Sequence, residues 1–263
     1  MPDVIPTVPA STILLCRNTP ELEVFMVVRH HQIDFASGAL VFPGGKVDDA
    51  DSDALAAQHT RGLEKYPEEE HTYLIASVRE VFEECGVLLA RATGSDDIIP
   101  ASRLEELMPY QKKLVDNELG IGEMCEAEGL ELACDLLSPY AHWITPTFMP
   151  KRFDTKFYIA EAPSDHLAIH DGSESVDSVW LNPAQLLKEA EEGKWTVIFP
   201  TRCNLELLAE SDSVESAIEA SNTRPPCPIL PTVEKREDGN WLCIPKESAY
   251  QVAEVKMEKG KAP

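Results

Sequence analysis

The stretch that decides the fold is REVFEECGV, residues 79–87, which places three glutamates directly behind an arginine and just ahead of a glycine. Glu80, Glu83 and Glu84 are three and four positions apart, so a helix would bring them close together. Like charges at this spacing weaken an isolated helix by about a few tenths of a kcal/mol per pair. The pattern therefore predicts a positive charge bound beside these carboxylates.

The residues around the stretch predict that helix. Apolar side chains recur at steps of three, four and three, the spacing of a helix face that packs on a core. They are Ile75, Val78, Phe82 and Cys85. Gly86 is placed to end the helix, because glycine adopts the left-handed conformation common at helix C-termini.

The charge balance restricts the partners. The chain of 263 residues has 46 acidic and 23 basic residues, a formal net charge of −23. Nucleic-acid binding draws most of its affinity from clustered lysine and arginine, so no nucleic-acid partner is expected. A phosphorylated small molecule remains possible if a metal ion or a few basic side chains meet its charge locally.

The cysteines and the apolar runs bear on location. The seven cysteines are widely spread and include no C-x-x-C pair, which is typical of reduced thiols in a cytosolic protein. No stretch of about 18 apolar residues and no basic N-terminal segment is present, so neither a membrane span nor a signal peptide is expected. The sequence predicts a cytoplasmic protein.

Alternating strand and helix patterns predict one mixed α/β domain over residues 1–263, with a mostly helical insertion at about 98–138. Short apolar, β-branched runs precede a turn at Pro43, Gly44 and Gly45. Residues 48–71 are polar and are interpreted as a loop or irregular excursion. The ending predicts a hairpin with Asp238 and Gly239 at its turn.

The stretch 79–87 matches R-E-U-x-E-E-x-G-U, where U is aliphatic, and so resembles the second half of the Nudix box. Gly45 corresponds to the first glycine of the box. Asp51 stands where the family usually has glutamate; it either holds the glycine loop, as that glutamate does, or lies in a solvated turn. Because 27 residues separate Asp51 from Arg79 where the family has seven, the box carries an insertion at about 52–71.

Further motifs resemble the branch that contains peroxisomal coenzyme A diphosphatases. They are FPGG at 42–45 with Gly38 four residues before it, the interrupted box, and WITPTFMPKRFDTKFYIA at 143–160. The arginine expected four residues before Gly38 is replaced by Asp34, and Arg29 and Arg152 are the candidates to substitute for it. Arg152 could instead form an ion pair with Asp154.

The resemblance implies a Nudix α/β/α sandwich with a mixed β-sheet and helical insertions. It implies that Glu80, Glu83 and Glu84 ligate Mg²⁺ or Mn²⁺, and that Arg79 orients Glu80. The general base is expected to be Glu80 or, second, Glu174. The substrate is expected to contact Gly44, Gly45 and Arg152.

Three functions stay open at this stage. The leading one is hydrolysis of the diphosphate bond of CoA or acyl-CoA. NADH, ADP-ribose and nucleotide sugars are alternative substrates. A nucleotide-sensing protein that binds without turnover is the alternative from another class, although a sensor would be free to lose Arg79 and the glutamates. A homodimer is possible.

Overall fold

The computed structural model describes residues 5–29, 38–166, 168 and 175–257, which form seven α-helices and fourteen strands. The helices are α1 Ala54–Gln58, α2 Glu68–Cys85, α3 Ala101–Val115, α4 Ile121–Glu128, α5 Pro183–Glu191, α6 Phe199–Leu208 and α7 Val214–Thr223. The strands are β1 Val8–Asn18, β2 Leu22–Arg29, β3 Leu40–Val41, β4 Gly44–Lys46, β5 Thr60–Arg61, β6 Ala90–Ala92, β7 Leu130–Ala133, β8 Ser138–Ile144, β9 Phe153–Glu161, β10 Ser175–Leu181, β11 Pro228–Ile229, β12 Thr232–Arg236, β13 Gly239–Cys243 and β14 Glu254–Lys256. Short 3-10 helices cover Asp49–Ser52, Leu63–Lys65 and Cys134–Leu136.

The central sheet has eight strands and is mixed. Its main order is β10-β2-β1-β9-β8-β11, with β3 paired to β2 and β4 paired to β1. The pairs β1–β9 and β8–β11 are parallel and the others are antiparallel. Strand β1 therefore lies between β9 on one side and β2 and β4 on the other.

Helices cover both faces of this sheet. Ile13 and Leu15 of β1 are fully buried in the core shared with α2, α3 and α4. Leu14 and Cys16 point the other way, into the core shared with α5, α6 and α7. Because successive side chains of a strand alternate between faces, one apolar strand supplies both cores. The α/β/α sandwich predicted from sequence is confirmed.

The two insertions pack against each other. Residues 54–58 form helix α1, so the interpretation of 48–71 as a loop was wrong for this part. A Cβ added to Gly122 of α4 would lie 2.5 Å from the backbone nitrogen of Ala56 in α1, and β5 pairs with β7. A helix of five residues is too short to be stable alone, so this packing holds it. The extent of the domain, 1–263, stays a prediction.

The fold bears on two further predictions, the terminal hairpin and the absence of a membrane span. The predicted terminal hairpin is confirmed, since β12 and β13 are antiparallel and Arg236 pairs with Gly239. Within the described residues, no helix is both long and apolar enough to span a bilayer.

Candidate active site

Arg79 lies at the centre of a buried ionic cluster. Its side chain is 4% exposed and forms a two-pronged contact with Asp51, from Nε to Oδ1 at 2.8 Å and from Nη2 to Oδ2 at 2.9 Å. The Asp51 side chain is fully buried and also accepts from the backbone N–H of Asp48 at 2.8 Å. Asp51 therefore holds the loop ahead of the helix, and the alternative of a solvated turn is wrong.

The same guanidinium reaches two of the three glutamates. Arg79 Nη1 lies 3.0 Å from Oε1 of Glu80 and 3.0 Å from Oε1 of Glu83. Its Nη2 also donates to the carbonyl oxygen of Lys46 at 2.7 Å. One arginine thus ties helix α2 to the glycine-containing strand β4 and contacts Glu80, the residue that it is expected to orient.

The two glycines of β4 lie close to strand β1 and to helix α2. The N–H of Gly44 donates to Oε2 of Glu84 at 2.9 Å. A Cβ on Gly44, whose φ is +149°, would lie 2.3 Å from the carbonyl oxygen of Ser11. A Cβ on Gly45 would lie 2.5 Å from Oε2 of Glu80. Gly44 is therefore required by the close approach of β4 to the backbone of β1, whereas at Gly45 a Cβ would displace the Glu80 carboxylate.

Burial and neighbouring charges shift the pKa values of the ionisable groups in the cluster. Burial raises the pKa of Glu80 well above its ordinary value; Arg79 opposes this rise, and the charges of Glu84 and Glu83 add to it. Burial likewise raises the pKa of Glu83, against the effect of Arg79. Burial disfavours the charged form of Arg79, but its bonds to Asp51 and the charge of Glu80 outweigh burial and raise its pKa.

The residues fit a divalent cation by their donor chemistry. Carboxylate oxygens are the ligands that Mg²⁺ and Mn²⁺ prefer, and the cluster offers those of Glu80 and Glu83 beside Arg79 and that of Glu84 beside the Gly44 N–H. No three His, Cys, Asp or Glu side chains in the described segments converge as a ready-made metal site. The three carboxylates do not converge because Glu80 and Glu83 bind Arg79, whereas Glu84 accepts a hydrogen bond from the Gly44 N–H. These are the three glutamates expected to ligate metal.

Arg152 binds backbone carbonyl groups. Its side chain is buried and donates from Nε to the carbonyl oxygen of Thr145 at 3.0 Å and from Nη1 to that of Ile5 at 2.5 Å. It immediately precedes β9, which flanks β1 on the side opposite β4. Asp154, its alternative partner, pairs with His142 at 2.5 Å. The structure thus gives Arg152 a structural contact, and its role toward substrate stays a prediction.

Glu174, the second candidate base, and the side chain of Arg29 lie outside the described part of the chain.

One contact beside the site was not predicted from the sequence. Ser77 Oγ lies 2.5 Å from Ser11 Oγ and donates to the carbonyl oxygen of Tyr73 at 2.8 Å, which fixes α2 on β1. Serine on a helix adjoining the glutamates gives no sequence signal for such a contact.

Comparison with known proteins assigns the family. The family model described as the NUDT19 Nudix domain matches residues 53–208, which include α2 and its glutamates. "Putative nudix hydrolase 7" of Caenorhabditis elegans is 29% identical over 92% of this chain and 73% of its own length. "Acyl-coenzyme A diphosphatase NUDT19" of Xenopus laevis is 22% identical over 89% of this chain and 72% of its own length.

A solved structure agrees at the level of the fold. The NUDIX hydrolase from Alicyclobacillus acidocaldarius superimposes with a TM-score of 0.64 at 23% identity, covering 82% of this chain and 97% of that one. The family match spans more than half of the chain, and the buried arginine with its glutamates occupies the end of the box helix. The chain therefore belongs to the Nudix hydrolases, in the family of the NUDT19 Nudix domain.

Proposed function

We propose that the chain is a Mg²⁺- or Mn²⁺-dependent pyrophosphohydrolase that cleaves the diphosphate bond of CoA or acyl-CoA. The observation that carries the proposal is the cluster in which Arg79 contacts Glu80 and Glu83 while the Gly44 N–H contacts Glu84. Buried carboxylates in excess over cations are costly unless a further cation joins them. The same pattern suits a diphosphate substrate, which arrives with its own negative charge and binds through a shared metal.

The substrate class rests on the relatives. The matched family model and the Xenopus laevis protein both bear the NUDT19 name, and that protein is named an acyl-coenzyme A diphosphatase. The net charge of −23 favours a small phosphorylated substrate over a nucleic acid. NADH, ADP-ribose and nucleotide sugars are the alternatives within the same chemistry. A cytoplasmic location and a homodimer stay predictions.

The roles of the chain's own residues follow from the contacts. The divalent ion would supply Lewis-acid polarisation of a phosphoryl oxygen and a bound water of lowered pKa. Glu80, Glu83 and Glu84 would hold it. Arg79 fixes Glu80 and Glu83 through Nη1. Glu80 is the proposed general base, since burial raises the proton affinity of its carboxylate and Gly45 leaves room beside it.

The proposal predicts the outcome of a substrate panel. Purified protein with Mg²⁺ or Mn²⁺ is assayed against CoA, acetyl-CoA, NADH, ADP-ribose, a nucleotide sugar and simple NTPs, with phosphate release measured through a coupled phosphatase. The CoA compounds should be cleaved fastest, giving adenosine 3',5'-bisphosphate and a 4'-phosphopantetheine product. Faster cleavage of another diphosphate would support the proposed metal site but would rule out CoA as the preferred substrate. Binding of nucleotide without turnover would favour the sensing alternative.

A further inference from the structure

The last turn of helix α2 is held by a side chain from the second insertion. Gln111 of α3 donates through Nε2 to the carbonyl oxygen of Phe82 at 3.0 Å and to that of Glu83 at 2.8 Å. Carbonyls at a helix C-terminus have no intrahelical partner. The N–H of Gly86 satisfies the carbonyl of Phe82 at 3.0 Å. Gln111 adds a second donor there and gives the Glu83 carbonyl a partner from outside the helix.

This turn is the part of the helix that most needs support. Glu83 and Glu84 carry like charges on adjacent residues of the last turn. The C-terminal end of a helix also bears partial negative charge, which repels carboxylates. Both effects favour fraying of the turn that presents these side chains. An amide that donates to its carbonyls counters the fraying and leaves the carboxylates unobstructed.

The insertion also touches the other half of the cluster. A Cβ added to Gly120, which caps the start of α4, would lie 3.1 Å from the Cβ of Ala50, next to Asp51. Tyr110 of α3 donates to Oε1 of Glu128 at 2.6 Å and so links α3 to α4. One insertion therefore braces both the loop of Asp51 and the end of the glutamate helix.

We propose that Gln111 is a positioning residue for metal binding: it fixes the last turn of α2 so that Glu83 and Glu84 present their carboxylates to a divalent cation. This inference rests on the proposed function. It gives the helical insertion a part in the reaction, because Gln111 belongs to the insertion and not to the box. The residue itself touches neither substrate nor metal and acts through the two carbonyls.

The test compares Gln111→Met with Tyr110→Phe. Methionine keeps the length of the side chain and removes both donors to α2, whereas phenylalanine removes a hydrogen bond that stays within the insertion. Mn²⁺ binding to metal-stripped protein is measured by electron paramagnetic resonance, with thermal unfolding beside it. Because Gln111→Met loses both hydrogen bonds to α2, it should bind Mn²⁺ about threefold to tenfold more weakly than the wild type. Tyr110→Phe should bind as the wild type does, even where its unfolding temperature falls.

Gln111→Asn is the second variant, since its amide is one methylene too short to reach the carbonyls, and it should behave as Gln111→Met does. Equal Mn²⁺ binding by wild type and both Gln111 variants would overturn the inference alone. Equal weakening by Gln111→Met and Tyr110→Phe would also overturn it, because a general loosening of α3 would then suffice. A wild-type protein that binds no Mn²⁺ would overturn the proposed function itself.

Discussion

Glu84→Gln should fold as the wild type does and lose turnover by at least about 100-fold, the upper range seen when groups that merely support a metal ligand are changed. The amide oxygen of glutamine can still accept the hydrogen bond that the Gly44 N–H gives to Oε2 at 2.9 Å. The fold therefore keeps its contact while the cation loses one charged oxygen donor. Steady-state turnover of CoA and the Mn²⁺ dissociation constant measure the effect.

Glu69→Gln is the matched control for this prediction. Glu69 lies in the first turn of the same helix and is exposed, so its substitution makes the same change of charge away from the cluster. It should retain wild-type turnover. Wild-type turnover by Glu84→Gln would remove Glu84 from the metal site, and equal losses in both variants would point to a general effect of charge on the helix.

Arg79→Met should have the largest effect on stability, about 3–5 kcal/mol, because it leaves buried carboxylates without their cation. Asp51, whose side chain is fully buried, would lose a two-pronged contact, and Glu80 and Glu83 would each lose one at 3.0 Å. Unfolding in urea measures the change in free energy. Arg79→Lys keeps the charge without the planar fork and should be the milder variant.

Substitution of a second buried arginine, Arg91, distinguishes an effect on stability from an effect on the site. Arg91 of β6 is 5% exposed and contacts both oxygens of Asp135, at 2.6 Å and 3.0 Å, away from the glutamates. Arg91→Met should therefore also lose stability, by less than Arg79→Met because it leaves one partly exposed carboxylate without its partner. At a temperature where both variants are folded, only Arg79→Met should lose Mn²⁺ affinity and turnover. Wild-type Mn²⁺ affinity in folded Arg79→Met would contradict the orienting role.

The glutamate helix could be predicted from sequence because its signals are local. The apolar spacing and the charge pattern lie within one helix, α2 Glu68–Cys85, and Gly86 caps its end in the left-handed conformation. The turn predicted at Pro43, Gly44 and Gly45 was wrong for the two glycines, because they pair with β1 as part of strand β4. The sandwich followed from the resemblance and is confirmed by the two cores on opposite faces of β1.

The contacts that organise the site were less predictable, because they join distant positions. Asp51 and Arg79 are 28 residues apart, and only the fold shows that Asp51 is buried. Gln111 lies equally far from Glu83 and carries no motif. Arg152 also binds a distant position, the carbonyl oxygen of Ile5, and its expected contact with substrate stays a prediction.

If the carboxylates of α2 act through a divalent cation, removal of metal should abolish turnover. CoA hydrolysis is measured on protein stripped with a chelator and then titrated with Mg²⁺, with Mn²⁺ as a second metal. We expect no turnover above the uncatalysed background without metal, and saturable recovery as metal is added. Turnover of CoA or any other diphosphate that persists undiminished in excess chelator would contradict this role of the cation.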